Sequence, residues 1–392
     1  MTSRQRFLKV LNGQMPDRVP VTLFIQDSGH FLNQMYPDID PWEFETLQLK
    51  VIELQKQLGV DVFVRLLSCT NDCWHVHFGG LDIEHQTDTW QVETTTQWKN
   101  DKTLLKISRI TTPDGVLTQQ MSIFEDRKGT WMMACTEKPI KTPADLEIAI
   151  KYEPRMPADW PEKAAKRVAR IKKALGDDGI LGVWSPHGPF NTASILIDQD
   201  QLYCLFLTDP EYYKRLMDFA IARSLDYLHA IDQAGTDVHC IGGNVAGGFI
   251  GAQHYDEHIL PFEKRYMDAV QKNGTPGCYH NCGEIMNLVA SYKQLGARWV
   301  EPFSPHPLGD ADLAHAKQIV GDSYVMTGGV DQVNLIQKGS PDDVRKATEK
   351  TIKLGKPGGG FILQSADFLE YGTPMKNLQA YVDTAMQYAQ YP

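Results

Sequence analysis

The chain lacks the features that mark several classes of protein. Nowhere do about 18 apolar residues run together, and no apolar stretch of signal-peptide length follows the charged opening Met1-Thr-Ser-Arg-Gln-Arg-Phe-Leu8. The sequence therefore reads as soluble and cytoplasmic, with no membrane partner. Positive charge is in deficit: 39 Lys and Arg against 49 Asp and Glu give a net charge of -10. Without a basic footprint or a Lys/Arg run, nucleic acid is not expected as a partner. Cysteine is sparse and odd in number, seven in 392 residues. A disulfide framework is not expected, and any cysteine chemistry should be thiolate chemistry. No Gly-x-Gly-x-x-Gly follows the first strand, so a dinucleotide fold has no support. What remains is ordinary globular composition, 42% hydrophobic and 22% charged, with material for a large core.

The organisation is repetitive in pattern, though not in sequence. Thr2 or Ser3 can cap a first helix to Asn12, whose Phe7, Leu8, Val10 and Leu11 form one stripe ended by Gly13. A short β-branched run, 19–25, follows and reads as a buried strand. From there an amphipathic helix, a glycine and a short apolar strand recur. Predicted helices 43–58, 160–175, 210–234, 256–273, 284–295, 310–320 and 341–354 lead into strands 61–67, 180–184, 238–241, 277–280, 298–301, 324–327 and 360–364. A last helix runs from about 374 to 390. With 19–25 this makes eight strands, apolar on both faces, alternating with helices. The pattern predicts an α/β fold, a (β/α)8 TIM barrel occupying 1–392 as a single domain. Residues of about 85–140 break the rhythm: 87–98, 104–110 and 116–123 alternate like exposed strands, with turns at Asn100-Asp101-Lys102 and Pro113-Asp114-Gly115. This predicts an antiparallel β insertion after the second strand.

Barrel enzymes carry their chemistry at the C-terminal ends of the strands. The polar groups there are Gln26, Asp27 and His30; Asn71 and Asp72; His187 and Asn191; Asn244; His280 and Cys282; Glu301; Asp331; Ser365 and Asp367. One cluster stands out, Cys278-Tyr-His-Asn-Cys-Gly-Glu284. Residues two apart on a strand project to one side, about 6–7 Å apart at the backbone, so His280 and Cys282 can chelate one zinc ion. A second group, Cys69, Cys73, His75 and His77, matches no closed zinc spacing, and His239 and Cys240 read as core. Trp74, Trp90, Trp98, Trp131 and Tyr371 are candidates to line a flat-substrate pocket under the insertion.

Arg4-Gln-Arg-Phe-Leu8, Met15-Pro-Asp-Arg-Val-Pro-Val21, His187-Gly-Pro-Phe190, His280-Asn-Cys-Gly283, Gly328-Gly-Val-Asp331, Gly358-Gly-Gly-Phe-Ile-Leu363 and Gly372-Thr-Pro374 together resemble the uroporphyrinogen decarboxylase superfamily, in order and over nearly the whole chain. The resemblance implies a (β/α)8 barrel and a homodimer. It also implies one of two chemistries. The true decarboxylases hold an acidic tetrapyrrole with arginines in a Met-Arg-Gln-Ala-Gly-Arg segment. The nearest match here, Ile25-Gln-Asp-Ser-Gly-His30, lacks both arginines and so cannot pair bidentately with carboxylates. The other branch holds zinc-dependent methyltransferases that work with a corrinoid, and its His-x-Cys matches His280 and Cys282. Those enzymes usually add a third ligand, Cys, just after the last strand. Here the matching position falls at about Asp367, and no cysteine follows Cys282. Glu301 occupies a place resembling that of the zinc-ligand glutamate of cobalamin-independent methionine synthase.

The expected metal ligands are thus His280, Cys282, Glu301 and Asp367. Catalytic candidates are His187, Asn244 in the glycine-rich 242–248 loop, and Glu284 at a predicted helix start; substrate-binding candidates are Gln26, His30, Asn191 and Tyr279. A nitrogen, sulfur and carboxylate donor set makes a harder Lewis acid than a thiolate-rich one and suits oxygen. The expected activity is therefore methyl transfer from a small molecule such as a methoxylated aromatic to the cobalt of a corrinoid protein, zinc and corrinoid being the cofactors. No corrinoid domain is visible, so the cobalt must come from a partner protein. The alternatives are methyl transfer to a thiol or folate-type acceptor, a metal-free decarboxylase of a tetrapyrrole or aromatic acid, and a barrel that only binds a tetrapyrrole or corrinoid.

Overall fold

A computed structural model describes residues 1–70, 80–127, 130–243 and 247–391. The strands are β1 (Val62–Leu66), β2 (Gln91–Asn100), β3 (Thr103–Thr112), β4 (Gly115–Arg127), β5 (Thr130–Glu137), β6 (Gly179–Trp184), β7 (Val238–Gly242), β8 (Gly277–His280), β9 (Trp299–Phe303), β10 (Val325–Val330) and β11 (Phe361–Ser365). They form two sheets, one in the order β1-β6-β7-β8-β9-β10-β11 and one in the order β2-β3-β4-β5. The first is parallel throughout. Its strands enter after helices such as Phe44–Leu58, Trp160–Leu175 and Pro210–Ala234, and the first of these ends on Gly59 in the left-handed conformation that glycine tolerates. The fold class is α/β, as the alternation predicted, with the insertion in the predicted place.

Alternate residues of each strand face two different cores. Phe63, Ile180, Cys240, Cys278, Trp299, Val325 and Ile362 share one cluster with Phe7, Val10 and Leu11 of the first helix, while their neighbours join a larger cluster with the helices. Strands buried on both faces explain the near-absence of polar residues within them. The run 19–25 forms no strand ladder. It lies between the two ends of the parallel sheet, with Val21 bridged in parallel to Leu363, Thr22 N–H donating to Leu363 O, and Asp61 N–H donating to Val21 O.

Beyond the strand expected at 19–25, three expectations need correction. The helix predicted at 284–295 is a single short helix, Ser291–Leu295, because the Asp310 carboxylate takes the amides of Ile285 and Met286. The helix predicted at 256–273 is composite, with a π-turn at Tyr255–Ile259 ahead of Leu260–Val270, where Pro261 cannot donate to the helical ladder. The insertion has a fourth strand, β5, whose Met132-Met133-Ala134 run carries neither β-branching nor clean alternation.

At the opposite end of the sheet from the strand C-termini, fully buried Asp61 gathers two guanidinium groups. Arg6 Nη1 lies at 2.5 Å, Arg18 Nη1 at 2.6 Å, and the Val21 amide donates at 2.8 Å. Asp61→Ala leaves the Arg18 guanidinium without a carboxylate and Arg6 with Asp17 alone, and should cost about 3 kcal/mol, read as a lowered urea midpoint. Among the described residues no helix is long and apolar enough to cross a membrane.

Candidate metal centre and substrate cavity

The C-terminal strand ends converge on one cluster. His280 closes β8, Cys282 follows two residues later, and Asp367 lies two residues beyond β11. One ligand atom from each lies within 4.8 Å of the other two. An imidazole nitrogen, a thiolate and a carboxylate at that spacing suit a divalent zinc ion and leave a coordination position for substrate. Parallel register sets Glu301 of β9 opposite His280, and its Oε1 sits 3.1 Å from His280 Nδ1. Glu301 is also bidentate to Arg65 of β1, with Arg65 Nη2 at 2.7 Å from Oε2 and Nη1 on Oε1. Of the four predicted ligands, the structure therefore brings three together and places the fourth behind the imidazole.

These contacts set the charge states. Burial would push the Glu301 carboxyl up, but the Arg65 charge and the His280 hydrogen bond hold it at about 2. Burial disfavours the His280 imidazolium, yet its hydrogen bonds to Cys282 and Glu301 and the nearby Asp367 raise it to about 10. Burial raises Asp367 above its ordinary range, partly offset by His280.

Above His280 and Asp367 lies a cavity of about 240 Å3. Its walls are aromatic: Trp184 from the end of β6, Phe24 from the 19–25 run and Phe368 from the loop after β11, with Trp184 5.4 Å and Phe24 6.1 Å from the His280 ring. Its roof is the insertion, which contributes Trp131, Met132 and Met133 of β5. Gln26, Ser28, His30 and His187 join His280 and Asp367 in the polar lining. His30 is the only non-glycine residue with positive φ among those described, at 53°, and its ring packs 4.1 Å from Phe368. Such backbone strain persists only where its surroundings impose it, and it often marks binding sites.

The remaining candidates fall elsewhere. Tyr279 points to the other face of β8, fully buried against Tyr255 and Tyr292, because its neighbour His280 takes the inner face. Asn191 is buried in the helix Pro189–Leu196 and is not among the cavity residues. Glu284 is exposed and caps no helix. Asn244 lies outside the described residues, as do Asn71, Asp72, Cys73, Trp74, His75 and His77. Among the described residues, Trp131 alone of the predicted aromatics lines the cavity; Trp90 is insertion core, its Nε1 donating to Asp82 O, and Trp98 is exposed. His239 is core, held between Ser185 and Asp232. Sequence reading missed Arg65, Phe24, Trp184 and Phe368; a lone arginine within Val62-Phe-Val-Arg-Leu66 was the available signal for the first.

The loop that carries His187 rests on a buried acid. Glu263 Oε1 accepts from the Phe190 amide at 3.1 Å, and a Cβ at Gly188 would fall 2.1 Å from Oε2, so only glycine fits there. Burial pushes this carboxyl up to about 8 against the pull of the Phe190 amide and the Tyr279 hydroxyl. A carboxyl raised on folding binds its proton more tightly in the folded state, so stability falls as pH rises from about 4.5 to about 8. Glu263→Gln should flatten that fall, measured as the unfolding midpoint across this range.

The uroporphyrinogen decarboxylase (URO-D) family model matches residues 122–388, more than half of the chain. The chain therefore belongs to this family. Among curated relatives, it is 26% identical over 206 residues to a methylcobamide:CoM methyltransferase of Methanosarcina acetivorans, covering 51% of this chain and 56% of that protein. It is 27% identical over 237 residues to a methylated-thiol–coenzyme M methyltransferase of Methanosarcina mazei, covering 57% and 60%. It is 26% identical over 234 residues to a uroporphyrinogen decarboxylase of Citrifermentans bemidjiense, covering 56% and 63%. The chain thus spans less than two thirds of each relative's length. In structure it is similar to a methyltransferase from Methanosarcina mazei, with TM-score 0.70 at 18% identity over 99% of both chains. It is also similar to a B12-independent methionine synthase from Shewanella sp. W3-18-1, with TM-score 0.51 at 10% identity over 94% and 95%. At these identities the structural likeness concerns the fold alone.

Proposed function

We propose that the protein is a zinc-dependent methyltransferase moving a methyl group between a methoxylated aromatic and the cobalt of a separate corrinoid protein. The observation that carries this reading is the His280, Cys282 and Asp367 cluster, whose His280 and Asp367 line an aromatic cavity. Residues 1–392 form one barrel domain in this reading, with the 19–25 run closing the gap between the two ends of the parallel sheet.

His280, Cys282 and Asp367 would hold the metal. When bound, zinc would supply Lewis acidity toward an ether oxygen, and the corrinoid would supply the methyl-accepting cobalt. The chain's own residues do the rest. Phe24, Trp184 and Phe368 present flat faces to an aromatic ring, and Trp131 and Met133 cover it, excluding water. Gln26, His30 and His187 orient its polar substituents. The volume, about 240 Å3, lies below the roughly 300–1,000 Å3 of drug-sized sites and suits one substituted ring. Among the described residues lining it there is no Lys or Arg, which leaves a polycarboxylate tetrapyrrole without partners.

The test is zinc content by elemental analysis, together with methyl transfer from methoxylated phenols to Co(I) cobalamin, followed by the cobalt absorption change and release of the demethylated phenol. About one zinc per chain and stoichiometric phenol are expected. Absence of zinc after loading, with CO2 released from carboxylated substrates, would favour the decarboxylase instead.

A further inference from the structure

We propose that Glu301 positions the metal ligand His280 without itself binding metal, and that Arg65 holds it in that role. This rests on the reading of His280, Cys282 and Asp367 as the metal cluster.

His280 and Glu301 face each other across β8 and β9, both buried, with Glu301 fully so. With Glu301 ionised, the 3.1 Å contact has the Nδ1–H of His280 donating to the Glu301 carboxylate and leaves Nε2 as the nitrogen with a lone pair for the metal. Glu301 has no freedom to do more. Both of its oxygens accept from Arg65, which reaches across from β1. Arg65 is itself clamped: its Cζ lies 4.0 Å from the Phe24 ring centroid and 4.3 Å from that of Phe63, and its Nη2 also donates to Gln364 Oε1 at 2.8 Å. To reach a metal, the carboxylate would have to abandon a bidentate pair and leave a guanidinium uncompensated where its residue is only 2% exposed.

Charge counting agrees. Arg65 neutralises Glu301, so the anionic donors facing the metal are Cys282 and Asp367, and two negative charges match one divalent ion. A fourth protein ligand would add a third negative charge and fill the position a substrate needs. The pair thus keeps the site both neutral and open.

The experiment compares the full-length wild type with Glu301→Ala and the isosteric Glu301→Gln. Zinc affinity is read by competition with a chromophoric chelator, and ligation by the visible spectrum of the Co(II)-substituted protein. Glu301→Ala should raise the zinc Kd about 10–100-fold. Glu301→Gln keeps an oxygen for the Nδ1–H but leaves the Arg65 charge unpaired, and should recover part of that loss. In both, the Co(II) band envelope and thiolate charge-transfer band should match the wild type, because no ligand has been removed. A changed coordination number in Glu301→Gln, which preserves shape and packing, would make Glu301 a ligand and overturn the proposal. Unaltered zinc affinity in Glu301→Ala would overturn it equally. Wild-type protein that takes up no zinc would overturn the cluster reading and this inference with it, whereas normal wild-type uptake with an indifferent Glu301→Ala overturns the inference alone.

Discussion

Cys282→Ala is expected to lose zinc and methyl transfer together while the fold survives. Three ligand atoms meet within 4.8 Å, and removing the thiolate leaves one imidazole and one carboxylate, too few to hold zinc against water and buffer. Cys282 lies in the loop after β8 and is only half-buried, so truncation opens no core cavity and thermal unfolding should shift little. Transfer should fall at least about a thousandfold, equivalent to about 4 kcal/mol of transition-state stabilisation. His280→Ala should lose zinc as well, but at a cost in stability, because its ring packs against Trp184 and Phe24 and anchors Glu301. His187→Ala supplies the contrast: it lines the cavity outside the cluster, so zinc should stay and turnover should drop. Elemental analysis, a thermal melt and the cobalamin assay separate these cases. Zinc retained in both ligand variants would refute the site.

Much of the fold was legible because its signals are local. The helix Pro210–Ala234 ends at the glycine that the periodicity pointed to, and β8 occupies the predicted 277–280. His280 and Cys282 were legible for the same reason, since two-residue spacing on a strand is a local property. Asp367 stood among the polar strand-end groups, but its role as a ligand was reached only through the family likeness, because its approach to His280 depends on how the ends of β8 and β11 sit in three dimensions. Arg65 was invisible in its role: within Val62-Phe-Val-Arg-Leu66 nothing shows that its partner is Glu301, 236 positions away. Tyr279 was misassigned to the substrate because adjacency to His280 in sequence means the opposite face in a strand. The insertion was recognised by its turns, yet its strand β5, which roofs the cavity, went unread because Trp131-Met132-Met133 alternates poorly.

Asp367→Cys should separate metal binding from substrate choice. The exchange turns a nitrogen, sulfur and oxygen set into one with two thiolates, which donate more electron density and leave a softer zinc. Zinc should remain bound at least as tightly as in the wild type. Transfer from an aryl methyl ether should nevertheless fall about a hundredfold, near 3 kcal/mol, because the softened metal polarises oxygen less. Methylation of a thiol substrate from methylcobalamin should rise in the same variant. One structural cost accompanies the change: Asp367 Oδ1 accepts the Phe368 amide at 2.7 Å, and Phe368 packs on the strained His30, so the cavity wall loses an anchor. Asp367→Asn controls for this, since it keeps an oxygen for the amide but removes the anionic ligand; its zinc should be weaker and its thiol activity unimproved. Full ether activity in Asp367→Cys would mean that the carboxylate does not tune the metal, and that substrate choice resides in the aromatic cavity alone.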